Sequence, residues 1–129
     1  MDDYVESVIY GTTLRGLPNH HRIAGCELLR SGHTAASYRM VTPDGSYPLL
    51  IEDGTAGAAF PCEIYRIPRA TWDAKVAAEP PGLVVGEIAL DDRSTVIGML
   101  ADPTWLATLD GVTDITAHGG WAAYAAARD

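Results

Sequence analysis

No apolar run in this chain approaches the ~18 residues that a membrane-spanning helix requires. No basic leader opens it either, since Met1-Asp2-Asp3-Tyr4 is acidic and no apolar stretch follows. The expected location is therefore the cytoplasm, with no membrane partner. Positive charge is scarce as well: nine Lys and Arg stand against seventeen Asp and Glu, a net charge of −8. Binding to nucleic acid needs clustered cations against phosphate, and the basic residues here are scattered. With two cysteines, Cys26 and Cys62, and no CxxC or CxxH spacing, neither a disulfide framework nor a cysteine metal site is indicated. Both read as reduced, buried small hydrophobes.

What remains is a 129-residue chain with 47% hydrophobic residues, enough for the core of one domain over residues 1–129. Thirteen glycines and eight prolines punctuate it into many short elements. Strands are predicted at Ser7–Tyr10, Ala35–Val41, Tyr47–Ile51, Phe60–Ile67, Leu83–Leu90 and Thr95–Leu100. Thr42-Pro43-Asp44-Gly45 and Asp91-Asp92-Arg93-Ser94 supply turns, and Pro61 marks an edge or a bulge. Apolar spacing predicts a helix over His20–Leu29 with Asn19 as its cap. A second helix is predicted from Arg69 to Ala78, stopped by Pro80-Pro81-Gly82, with a helical turn near Pro103–Leu106. An alanine-rich helix over Gly119–Ala127, capped by Asp114 or Thr116, ends the pattern. Antiparallel runs with a few helices imply an α+β fold: a small mixed, mostly antiparallel β-barrel with flanking helices.

Three segments could carry chemistry. In Tyr10-Gly11-Thr12-Thr13-Leu14-Arg15-Gly16-Leu17-Pro18-Asn19-His20-His21, a strand enters and a helix leaves a loop of glycines and hydroxyls. Such a loop can aim several N–H groups at one carboxylate, with Arg15 available as a clamp; the competing reading is a tight turn. The doublet His20-His21 makes a poor metal pair, because neighbouring helical residues point apart, and His33 and His118 add no ligand spacing. Glu79 ends the second helix, where the dipole disfavours a carboxylate and burial would raise its pKa toward that of a useful base. The competing reading is a solvent-facing acid. In Asp114-Ile115-Thr116-Ala117-His118-Gly119-Gly120-Trp121-Ala122-Ala123-Tyr124, the spacing puts Trp121 and Tyr124 on one helix face that docks on the barrel, with pocket lining as the competing reading.

These strings resemble a known superfamily. Tyr10-Gly11-Thr12-Thr13-Leu14 is similar to the YGxxL loop of gamma-glutamylcyclotransferases. Glu63-Ile64-Tyr65-Arg66-Ile67 looks like the Gly-Glu-Leu/Val-Tyr strand of that family, with Cys62 in place of its glycine. Thr71 to Glu79 runs without a gap against a helix ending in Leu-Asp-x-x-Glu-Gly, so Glu79 falls on the family's catalytic glutamate. A fuller resemblance is to allophanate hydrolase C-terminal domains. Leu14-Arg15-Gly16-Leu17-Pro18-Asn19-His20-His21 is similar to their Leu-Ser-Gly-Met-Pro-Leu-Asn-His loop. The string from Asp114 to Tyr124 is similar to their closing Asp-Ile-Ser-x-Phe/His-Gly-Gly-Trp-x-x-Tyr. Two departures stand out: no amidase signature is present, and Glu79 occupies a position expected to be apolar in those domains.

The resemblance implies a small-molecule enzyme of the allophanate hydrolase C-terminal type. It would process a small carboxylate-bearing carbamate or amide by decarboxylation or hydrolysis, with no metal or organic cofactor. Glu79, His21 and Tyr10 are the implied catalytic residues. Gly11, Thr12, Thr13, Leu14, Arg15 and Gly16 are the implied substrate-binding loop. Two alternatives accompany it: a cyclotransferase releasing 5-oxoproline with Glu79 as acid and base, and a non-catalytic accessory module of a separate amidase. The module would use an apolar face around Trp105, Leu106 and Trp121. An amidase and a second copy of the chain are the two partners left open.

Overall fold

The computed structural model describes residues 3–55 and 57–128. Its strands are β1 (Tyr4–Ile9), β2 (Glu27–His33), β3 (Tyr38–Thr42), β4 (Leu49–Glu52), β5 (Pro61–Pro68), β6 (Leu83–Ala89), β7 (Thr95–Ala101) and the two-residue β8 (Thr113–Asp114). Helix α1 spans Arg69–Ala77, α2 Pro103–Leu106 and α3 Trp121–Arg128. The strands form a five-stranded sheet in the order β2-β5-β1-β7-β6 and a three-stranded sheet in the order β4-β3-β8. β1 lies at the centre of the large sheet, antiparallel to β5 and parallel to β7. All other strand pairs are antiparallel. The α+β class is as expected, but the sheets do not close into a barrel: each ends on its own edge strands, β2 and β6 in one, β4 and β8 in the other.

The burial pattern of β1 shows what the central position demands. Val5 and Ile9 pack with Tyr65, Ile67, Met99 and Trp72 of α1, while Val8 and Tyr10 pack with Met40, Leu50 and Ile64 toward the small sheet. A strand covered on both faces needs apolar or small residues throughout its inner length, and Ser7, fully buried, is the small one. Trp121 of α3 is buried in the cluster between the sheets together with Ile115. Trp105 and Leu106 pack against Val41, Tyr47 and Leu49. The apolar face expected around Trp105, Leu106 and Trp121 is thus turned inward.

Two local expectations are corrected. The segment 20–29 is not a helix: His20–Ile23 makes one 3-10 turn and the chain then enters β2. Ala24 is already extended (ψ 133°) and Gly25 takes φ +84°, which ends the helical path at little cost for glycine. Four residues cannot nucleate a stable helix alone, whereas Glu27 and Leu28 gain a ladder against Arg66 and Tyr65 of β5. Asn19 consequently caps nothing with its side chain. Pro61 does not mark an edge, since β5 is flanked by β2 and β1; it is the first residue of its strand, a position where the missing N–H costs little. Both cysteines are free, Cys62 buried and Cys26 half-buried. Among the described residues no helix is long and apolar enough to cross a membrane.

Asp114 joins β8 to the rest. Its carboxylate accepts from the Thr116 N–H at 2.9 Å and from Arg39 Nε at 3.0 Å. The Thr116 hydroxyl, the Thr116 N–H and Arg39 together hold this carboxyl below the usual aspartate range. A depressed carboxyl contributes stability above its unfolded pKa of about 3.9 and loses it as pH falls through the lower folded value. The urea midpoint of Asp114→Asn is therefore expected below wild type at pH 7, with the gap closing as both are taken toward pH 2. A gap that persists undiminished at pH 2 would show that the carboxylate charge is not what ties β8 down.

Candidate functional site

The loop that follows β1 is shaped by its own carbonyl groups. Gly11 O accepts from Leu14 N at 3.1 Å and Thr12 O from Asn19 N at 3.0 Å. The His20 ring nitrogen Nδ1 lies 3.0 Å from Thr13 O, and Asn19 Nδ2 donates to the Thr12 hydroxyl at 2.9 Å. With the carbonyls engaged toward the 3-10 turn, the N–H groups of Gly11, Thr12 and Thr13 are left without a hydrogen-bond partner among the described residues. Backbone donors grouped in this way suit an anion or a developing oxyanion. Gly11 is required by space: a Cβ there would stand 2.8 Å from Pro48 Cγ.

Across from the loop stands the end of α1. The helix stops at Ala78, and Glu79 follows with its side chain 15% exposed. Its Oε1 accepts from Lys75 Nζ at 2.9 Å, and Lys75 is 4% exposed. The turn Pro80-Pro81 carries the chain away, tied back by the Tyr47 hydroxyl, which donates to Pro81 O at 2.6 Å.

Between loop and helix end lies a narrow cavity of about 40 Å3, lined by Tyr10, Gly11, Thr12, Thr13, Tyr47, Pro48, Lys75, Glu79 and Met99 among others. It opens beside a wider recess of about 310 Å3, lined by Thr12, Thr13, Asn19, Arg22, Ser46, Tyr47, Glu79 and Pro80. The inner chamber suits a group the size of a carboxylate with little water, since one water needs ~10–15 Å3 by the same measure. Glu79 sits where the two chambers meet. Tyr10 forms part of the inner wall and donates to Met99 O at 2.6 Å. Burial, reinforced by the negative charge of Glu79, pushes its phenol above the usual tyrosine range, so it stays a neutral donor.

Of the residues singled out in the sequence, Tyr10, Gly11, Thr12, Thr13 and Glu79 come together at this cavity. Leu14 turns into the core with Ile23 and Trp72. Arg15 and Gly16 are exposed and border neither chamber. The Arg15 N–H donates to Glu63 Oε1 at 3.0 Å, beside the Tyr65 hydroxyl at 2.9 Å from the same oxygen. Burial and that carboxylate push the Tyr65 phenol up to about 12. His21 is exposed, its Nδ1 2.9 Å from Pro18 O, and also borders neither chamber. Lys75, Tyr47 and Arg22 line the chambers without having been singled out as site residues. The Lys75–Glu79 spacing of four was the available signal for the first. Among the described residues no group of three or more His, Cys, Asp or Glu is placed to hold a metal ion.

Known proteins share this arrangement of chain. The family model described as "Allophanate hydrolase C-terminal domain" matches residues 5–126. A urea amidolyase of Saccharomyces cerevisiae is 23% identical over 128 residues, which are 93% of this chain and 7% of that protein. The present chain thus spans a small fraction of that curated relative. Among solved structures, a uropathogenic E. coli-specific protein superposes with a TM-score of 0.86 at 31% identity, covering 98% of both chains. Kluyveromyces lactis allophanate hydrolase gives a TM-score of 0.87 at 24% identity, over 97% of this chain and 21% of that one.

The contact between Gly11 and Pro48 gives a direct test of the inner wall. Gly11→Ala is expected to push Pro48 aside, lowering stability by about 1–3 kcal/mol, as overpacking does elsewhere, and to shrink the cavity. Chemical denaturation reads the first effect. A variant as stable as wild type would show that the wall yields freely.

Proposed function

Because the chain belongs to the allophanate hydrolase C-terminal domain family, we propose that it is an enzyme that performs acid–base chemistry on a small carboxylate-bearing carbamate or amide. The observation that carries this reading is a cavity of about 40 Å3 that brings the Glu79 carboxylate opposite the unclaimed N–H groups of Gly11, Thr12 and Thr13. An accessory module needs neither an enclosed acid nor a set of free backbone donors.

In the reaction the loop donors hold the substrate carboxylate, with the Tyr10 ring forming part of the wall, and a proton passes to the carbamate nitrogen. As the N–H bond forms, the C–N bond breaks, its electron pair goes to nitrogen, and carbon dioxide leaves: RNH–COO− plus H+ gives RNH2 and CO2. Positioned proton transfer of this kind is worth about 10²–10⁴-fold in rate. Amidase chemistry upstream would supply such a substrate, which makes a separate amidase the natural functional partner. The chain's own residues provide the proton and the anion-binding donors.

A second reading is favoured by Glu79 alone, which stands at the cyclotransferase-like position and inside the cavity. There the carboxylate removes a proton from the substrate's α-amino group, the amine attacks the γ-amide carbonyl, and the loop N–H groups hold the oxyanion. The leaving amine takes the proton back, giving 5-oxoproline.

Purified wild type and Glu79→Gln, offered γ-glutamyl amines, simple carbamates and allophanate with an amidase, separate these outcomes by mass spectrometry. The expected result is accelerated carbon dioxide release by wild type, reduced about 10²-fold or more in Glu79→Gln. Formation of 5-oxoproline would establish the second reading, and an inert panel would remove the enzymatic one.

A further inference from the structure

We infer that Lys75 is the anion-binding and proton-donating residue of this cavity, and that the site accepts anionic carboxylates in preference to zwitterionic γ-glutamyl amines. The inference deepens the proposed function and rests on the same cavity.

Lys75 is 4% exposed and lines the inner chamber. Its Nζ makes one hydrogen bond among the described residues, to Glu79 Oε1 at 2.9 Å, and lies 5.6 Å from the centroid of the Trp72 ring. An ammonium carries three N–H donors, so two have no protein acceptor and the cavity is the space beside them. A buried ion pair of this kind adds little net stability compared with apolar residues of similar volume. Packing against Trp72 does not require a charge, and a leucine at this position would satisfy it. Stability therefore gives no account of the lysine, whereas an anionic ligand does.

Charge decides the substrate class. Glu79 is already neutralised by a cation 2.9 Å away, so it is poorly placed to draw in a substrate's α-ammonium. Such an ammonium would also approach Lys75, a like charge in a desolvated chamber. A carboxylate meets the opposite situation, because Lys75 and the loop residues Gly11, Thr12 and Thr13, whose N–H groups are unclaimed among the described residues, line the same chamber. The N–H of Lys75 is then the proton delivered to the carbamate nitrogen, leaving a neutral amine that regains one H+ from the solvent pool by way of Glu79, which also lines the outer recess; that is the H+ consumed in the overall reaction.

The test is calorimetric titration of the full chain with oxalate and, separately, with γ-glutamyl-methylamide. Wild type is compared with Glu79→Gln, Lys75→Gln and the Lys75→Met/Glu79→Gln pair, each checked by circular dichroism. The double variant removes both charges together; Lys75→Gln keeps an amide donor to Glu79, a second route should the double variant fail to fold. Oxalate is expected to bind wild type, to weaken about 10- to 100-fold when Lys75 loses its charge, and to bind Glu79→Gln at least as tightly as wild type, because that variant leaves the buried ammonium without its counter-charge. Equal oxalate affinity without the lysine, no oxalate binding to wild type, or tighter binding of γ-glutamyl-methylamide each overturns the inference. Lysine-dependent oxalate binding with no turnover of any substrate removes the enzymatic reading and leaves the anion site. Carbamate turnover that survives loss of Lys75 does the reverse.

Discussion

An ammonium in a protein interior must have its counter-charge within reach, because leaving one ion unpaired costs several kcal/mol. Lys75 imposes that condition on everything around it. Glu79 has to follow α1 within one turn, at the carbonyl end of the helix where a carboxylate gains nothing from the dipole. The helix has to stop there, which Pro80-Pro81 enforces, and the turn has to be held, which the Tyr47 hydroxyl does through Pro81 O. The loop after β1 then closes the chamber from the opposite side, with Gly11 letting Pro48 come close enough to form a wall. Helix length, the double-proline break and the glycine are separate features in the sequence. Around the ion pair they serve one arrangement.

Where local chemistry decides structure, the sequence was legible. Arg69–Ala77 ends at a proline break that no helix survives, and β6 and β7 meet across a turn written in Asp91-Asp92-Arg93-Ser94. Segment 20–29 was not legible, because its apolar spacing suits a helix while the vacant edge of β5 offers a ladder that spacing cannot reveal. The absence of barrel closure belongs to the same class, since strand periodicity says which face is buried and nothing about which edges meet. β8, two residues long, leaves no periodic trace at all. In the site, Tyr10 to Thr13 and Glu79 were found through resemblance to known loops and helices. Lys75 is not legible as a site residue, because a lysine on a helix ordinarily reads as solvated and only the fold buries it beside Trp72. Arg15 and His21 carry suggestive chemistry in the string, yet the fold turns both toward solvent.

The two chambers differ in size and in lining. The one between loop and helix end is the smaller, about 40 Å3, with Tyr10 and Met99 in its wall. The other is roomier, about 310 Å3, and carries Arg22 and Asn19.

The central place of β1 has a consequence for how the molecule comes into being. Tyr10 reaches Met99 across 89 residues, and β1 lies between β5 and β7, so the strand that leads into the site meets its second neighbour late in synthesis. Such long-range pairings are slow to form and expose unpaired backbone in the meantime. On a ribosome moving from the N-terminus, segment 4–9 must wait for residues up to about 101 to emerge before its sheet can be completed. The cavity wall, which includes Met99, is therefore completed only once that strand has emerged, and a chain cut short before it carries the loop without the finished wall.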